Sequence, residues 1–141
     1  MTQPISDLNE LLKTMQPVLN PGVFVFASIA RDQVRNQPLD PALIVASIHE
    51  PEGWSVIMAE QDAQRYGLQP LFSCAWITLT VHSDLQAVGL TAAFATALGD
   101  AGISCNVVAG AYHDHLFVPL ESAQQAMAEL RGLQARALAQ C

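Results

Sequence analysis

Ala75-Trp76-Ile77-Thr78-Leu79-Thr80-Val81, followed by His82-Ser83-Asp84, is the stretch whose reading decides the fold. Its first seven residues alternate in type and are rich in β-branched and aromatic side chains, the pattern of a half-buried strand. The polar triplet breaks that pattern and suits a helix start. A helix is expected from near Leu85 to about Asp100, with Ala87, Leu90, Phe94, Ala97, Leu98 and Ala101 on its core face at spacings of three and four. Gly102 closes it.

Downstream, Ile103 to Ala109 reads as a strand, Gly110-Ala111-Tyr112 as a turn, and His115 to Val118 as the returning strand. Ser122 with Gln125 three residues later fits a capping box for a last helix that buries Ala123, Ala126, Met127, Leu130 and Leu133. The second half is therefore β-α-β-β-α, most of a ferredoxin-like unit.

Upstream, Ser6 and Asp7 open a short helix to about Met15. Asn20-Pro21-Gly22 reads as a turn and residues 23–29 as a strand. Residues 31–41, with Pro38 and Pro41, read as a loop where a helix would stand. Leu43 to His49 and Trp54 to Ala59 form a hairpin, and Glu60 to Tyr66 a helix stopped by Gly67. An offset of sixty residues lays Ile57-Met58 on Phe117-Val118 and Ala63-Gln64 on Ala123-Gln124, and the order of elements matches. Each half lacks its fourth strand, and an open sheet edge needs cover, so the halves are expected to share strands. The fold class is α+β, two ferredoxin-like subdomains with antiparallel sheets and helices on one face. The subdomains are drawn at residues 1–67 and 73–135.

With 141 residues, the chain buries roughly 70% of its unfolded surface. Half of it is apolar, 51%, and only 13% is charged, which excludes disorder. Six Lys and Arg against thirteen acids give a net charge of −7 without a basic run. That argues against nucleic acid and against an anionic membrane surface as partners. No apolar run approaches the ~20 residues of a bilayer span, and no signal-peptide pattern follows Met1. Cys74, Cys105 and Cys141 are odd in number and lack metal spacing, so reduced thiols in a cytoplasm are expected.

Residues 77–90 resemble the first strand, loop and helix start of an ACT domain. Ala101-Gly102-Ile103-Ser104-Cys105-Asn106-Val107-Val108 resembles its second strand, and His113 to Pro119 its third. The likeness is to stand-alone tandem ACT proteins of bacteria, and more distantly to aspartokinase regulatory domains and cellular arginine sensors. Val88-Gly89 stands where many ACT domains have Pro-Gly. The resemblance implies a regulatory, non-catalytic protein that binds an amino acid or related metabolite and forms a homodimer, with no cofactor. It places the ligand at His82, Ser83, Asp84, Val88, Gly89, Leu90, Asn106 and Val107.

The chemistry of such a ligand suits those residues. A carboxylate wants the free amides and positive dipole end of a helix N-terminus, here expected near Leu85. Gly89 lets a ligand approach the backbone, and Asp84 or the Asn106 side chain can accept from an ammonium. The same residues serve equally as an N-cap and a packing glycine. Two other classes stay open. His113 and His115, two apart, join His82 or His49 in a metal-dependent enzyme. Alternatively, the chain is a purely structural interaction module. Val88, Ala92, Ala95 and Gly99 form a small uncharged stripe expected to pack on another helix, in this chain or in a second subunit.

Overall fold

The structure is a computed structural model that describes residues 7–81 and 84–139. It divides into two compact units, one of residues 1–21 with 75–141 and the other of residues 22–74. The units therefore do not follow the two halves of the sequence. One boundary falls inside strand β1, Pro17–Ala30, and the other inside β4, Phe72–Leu79.

In the first unit the opening segment of β1 is followed across the sheet by β4, β6 (Asp114–Pro119) and β5 (Asn106–Ala109). β5 and β6 form the expected antiparallel hairpin, pairing Asn106 with Phe117 and Ala109 with Asp114. Three helices cover one face: α1 (Leu8–Thr14), α3 (Leu90–Asp100) and α4 (Ala123–Ala139). The alternation read from the sequence has a direct cause here. Ala75, Ile77 and Leu79 of β4, with Leu116 and Val118 of β6, point into one core with Leu11, Phe94, Leu98 and Leu130. Phe94, Leu98 and Leu130 are fully buried, and each such side chain contributes about 1.5–3 kcal/mol.

The second unit has the order β2 (Ile44–His49), β3 (Gly53–Ala59), β1, with residues 72–74 alongside β1. The amide of Leu71 donates to the Phe26 carbonyl at 2.8 Å, and the Cys74 thiol donates to the Phe24 carbonyl at 3.4 Å. Val25, Ala27 and Ile29 alternate along β1 to meet Val56 and Met58 of β3 and Ala63 of α2 (Glu60–Arg65). Where the first unit has α3, this unit has only a 3-10 turn at Arg31–Asn36 and another at Pro41–Leu43. Gln37 donates to the Tyr66 carbonyl at 2.6 Å, and the Asp40 amide to the Tyr66 hydroxyl at 3.3 Å, tying this segment to the end of α2.

Several elements depart from the sequence expectations. Asn20-Pro21-Gly22 does not reverse the chain but lies within β1, whose fourteen residues run through it. Pro21 lacks an N–H, and the Asn20 side chain supplies donors instead, to the Trp76 carbonyl at 3.2 Å and the Thr78 hydroxyl at 3.0 Å. α3 begins at Leu90, not near Leu85, with Gly89 as its N-cap at φ 105°. The chain enters α4 through a 3-10 turn at Leu120–Ser122, so Ser122, the residue before Ala123, also belongs to that turn. The small stripe at the start and along α3 divides: Ala95 packs on the core, whereas Val88 is 85% exposed, Ala92 is exposed and open space lies over Gly99.

Gly53 shows how tightly β3 lies on β1. A Cβ there would stand 2.6 Å from the Ile29 carbonyl oxygen and 2.9 Å from the Ser28 hydroxyl. Gly53→Ala is expected to destabilise the protein by about 1–3 kcal/mol, the usual cost of forcing atoms into a filled space. The shift of the urea midpoint at constant slope measures it.

Candidate functional site

β4 and β5 run the same way with β6 between them, so the end of β4, the end of β5 and the start of β6 lie together. The segment 84–89 connects β4 to α3 over this end. A hollow of about 70 Å³ opens there, lined by Asp84, Leu85, Ala87, Leu90, Thr91, Ala109 and Asp114.

The loop is held by Asp84. Its carboxylate accepts from the Gln86 amide and its carbonyl from the Ala87 amide, both at 2.9 Å. Those two amides are thus engaged by the protein itself. Among the described residues the unengaged donors begin one turn later, where α3 starts on a glycine and no side chain caps it. Its first internal bond is from Ala93 to the Gly89 carbonyl. The amides of the first turn of α3 and the positive dipole end therefore face the Leu90–Thr91 wall of the hollow.

Asp114 is the other functional group. It is buried, with a relative exposure of 7%, and it lines the hollow. Burial pushes its pKa up from 3.8, with His115 and then His113 pulling weakly the other way. A carboxylate on the wall of a hollow can accept from a bound cation or N–H group.

The expected site residues separate as follows. Asp84 and Leu90 line the hollow. Val88 points to solvent. Gly89 sits at the helix start, and the space over its Cα is filled by Leu8, 3.1 Å from where a Cβ would be. Its positive φ and that contact account for the glycine. Asn106 is exposed at the start of β5, and three residues of strand, about 10 Å, separate it from Ala109. Val107 packs on the core. His82 and Ser83 lie outside the described residues. Asp114, Thr91 and Ala109 were not singled out by the sequence. The trace of Asp114 there is an acid between two histidines just ahead of an apolar strand.

The histidines have separate engagements. His113 Nδ1 lies 3.3 Å from the Val81 carbonyl, to which it donates. His115 lies on the face without helices, where its Nδ1 accepts from the Trp76 indole N–H at 3.1 Å and meets the Thr78 hydroxyl at 3.1 Å. Indole can only donate, which assigns His115 to the neutral Nε2–H form. Among the described residues no three His, Cys, Asp or Glu are grouped to hold a metal. The Cys74 and Cys105 thiols are free, and burial pushes both up to about 11, so neither is a ready nucleophile.

Family models for the ACT domain match residues 3–75 and 72–132. The chain belongs to the ACT domain family. It is built of two ACT domains in tandem, and this membership supports a regulatory, small-molecule-binding role. It is similar to a Vibrio cholerae protein of unknown function, described as a possible transport protein, at 43% identity and TM-score 0.75, covering 90% of this chain and 95% of that one. The aspartate kinase regulatory subunit of Thermus flavus shares the fold at 12% identity and TM-score 0.60, over 83% and 95% of the two chains. That of Thermus thermophilus, in its ligand-free form, does so at 9% and 0.62, over 85% and 99%. No curated protein matches the ACT pair significantly. Among the described residues no helix is long and apolar enough to cross a membrane.

His115 gives the ACT pair a defined pH response. Its pKa is lowered from 6.5, by burial first and by His113 second, against the pull of Asp114. A depressed histidine contributes stability that is present above 6.5 and lost as pH falls through its folded pKa. His115→Gln keeps an acceptor for Trp76 but cannot charge. Chemical denaturation from pH 7 to about 5 is expected to show wild type losing more stability than this variant.

Proposed function

We propose that this tandem ACT protein is a non-catalytic sensor of a small amino acid, bound in the hollow between the 84–89 loop, α3 and β6. The observation that carries the reading is Asp114, a buried carboxylate on the wall of the hollow beside a helix start that no described side chain caps. The two groups complement a zwitterion. Asp114, with Asp84, accepts from the ammonium, and the first-turn amides of α3 with the Thr91 hydroxyl hold the carboxylate. The hollow of about 70 Å³ favours a small amino acid over a large one. His82, Ser83, Gly89, Val88, Asn106 and Val107 stand in this proposal as the family's implied ligand set, with Asp84 and Leu90 touching the head group directly.

The ligand acts by population shift. It favours the arrangement in which loop, helix start and β6 close on it, and does so only through its greater affinity for that arrangement. The open small-residue face of α3 at Val88, Ala92 and Gly99 supports a homodimer, and the reduced thiols a cytoplasmic setting. The mass in solution checks the dimer.

A thermal-shift series over the twenty amino acids tests the reading. A true ligand at a hundred times its Kd adds about 2.7 kcal/mol. Asp114→Asn is expected to lose that response. The raised pKa means that the folded state holds the Asp114 proton more tightly than the unfolded one. Its penalty is therefore present above the folded pKa and relieved as pH falls toward 3.8, so Asp114→Asn without ligand is expected to be more stable than wild type at pH 7. A flat response to all twenty, or an equal one in the variant, sinks the proposal.

A further inference from the structure

The second unit carries a hollow of its own, larger than the first. In the first unit α3 spans eleven residues, about 16 Å of helix, over the sheet. The corresponding segment of the second unit is the 3-10 turn Arg31–Asn36, six residues or about 12 Å. The shorter cover leaves a space of about 400 Å³ whose walls include Arg31, Val34, His49, Glu50 and Trp54. That volume lies in the range of small-molecule sites.

Its position in the fold is not arbitrary. The offset of sixty residues lays the hairpin of β2 and β3 on that of β5 and β6, placing His49 on Ala109 and Trp54 on Asp114. Ala109 and Asp114 line the first hollow, and His49 and Trp54 line the second. The two repeats thus open at the same end of their sheets, with different chemistry in the walls.

Three observations define that chemistry. His49 and Trp54 are cross-strand partners whose rings stack in parallel, 5.4 Å between centroids and 8° between planes, which forms a flat π surface. The Trp54 indole Nε1 is buried and has no hydrogen-bond acceptor among the described residues, although an indole N–H is ordinarily satisfied when buried. Arg31 is exposed and enters no ion pair among the described residues; the ion pairs there are Lys13 with Glu10 and Arg65 with Asp62. The acid of the same wall, Glu50, is engaged by the Ser55 hydroxyl. The hollow therefore offers a flat aromatic wall and an unpaired guanidinium. A guanidinium holds a carboxylate through two parallel N–H bonds.

We propose that the hollow of the N-terminal repeat is a second ligand site that takes a small planar carboxylate, its ring against the His49–Trp54 stack and its carboxylate on Arg31. The site is independent of the zwitterion site at Asp114, and either stands without the other. The cross-strand stack alone would stabilise the hairpin end. It does not account for an unpaired guanidinium on the wall of a space of this size.

The chain has two tryptophans, so a ¹⁵N-labelled sample gives two indole N–H signals, assigned with Trp76→Phe. Benzoate and nicotinate are titrated in, with acetate and cyclohexanecarboxylate as acids lacking a flat ring. The expected result is a saturable shift of the Trp54 signal by at least one aromatic acid, with Kd at or below about 1 mM. Arg31→Gln, a change at an exposed position, is expected to weaken it about tenfold, the loss of a charge-assisted pair. Asp114→Asn leaves it unchanged, which separates this site from the other. Absence of a saturable shift with both aromatic acids overturns the proposal. So does a shift that Arg31→Gln leaves intact, or one that acetate and cyclohexanecarboxylate produce equally.

Discussion

A strand must have its edge groups paired or covered, and a β-α-β-β-α run supplies only three strands to a sheet that is stable with four. Each compact unit answers with a segment from the other half of the sequence. In the first, residues 17–21 lie beside β4, fixed by the Thr80 amide donating to the Gln16 carbonyl at 2.9 Å and by the Asn20 side chain. In the second, residues 72–74 lie beside β1. Long strands that cross the unit boundaries are the consequence. They explain why β1 runs straight through Asn20-Pro21-Gly22, a tripeptide that by local rules alone is a turn.

That constraint also places both hollows. Because the first strand, the hairpin and the connecting segment of each repeat converge at one end, whatever covers that end decides what chemistry is possible there. In the C-terminal repeat a full helix arrives with a glycine for a cap and leaves a small polar recess. In the N-terminal repeat a 3-10 turn arrives and leaves a wider one walled by aromatic rings and an arginine. Two scaffolds of one family with different covering segments give one chain two recesses of unlike character. The face away from the helices carries a different design. There Asn20, Thr78, His115 and Trp76 form a chain of hydrogen bonds that keeps His115 neutral.

Much of the fold was legible in the sequence. The alternation of Ala75 to Leu79 and of His115 to Val118, and the three-and-four spacing of Leu90, Phe94 and Leu98, report burial on one face directly. Less of the site was legible. The helix start was read near Leu85 because Ser83 and Asp84 look like caps. The Asp84 carboxylate instead closes a turn on Gln86, and α3 waits for Gly89. Asn106 was read as a ligand neighbour from resemblance, yet it opens β5 while the hollow lies where β5 ends.

The sequence by itself determined the periods of the strands and helices, their order in both repeats and the absence of a basic surface. These follow from local backbone preferences and from side-chain pattern, which need no partner to be read. Tertiary structure decided which segments complete which sheet, that Asp114 is buried on the wall of one hollow, and that Trp54 and Arg31 line the other. Burial and hydrogen-bond satisfaction depend on atoms brought from distant positions in the chain, and no window of sequence contains them.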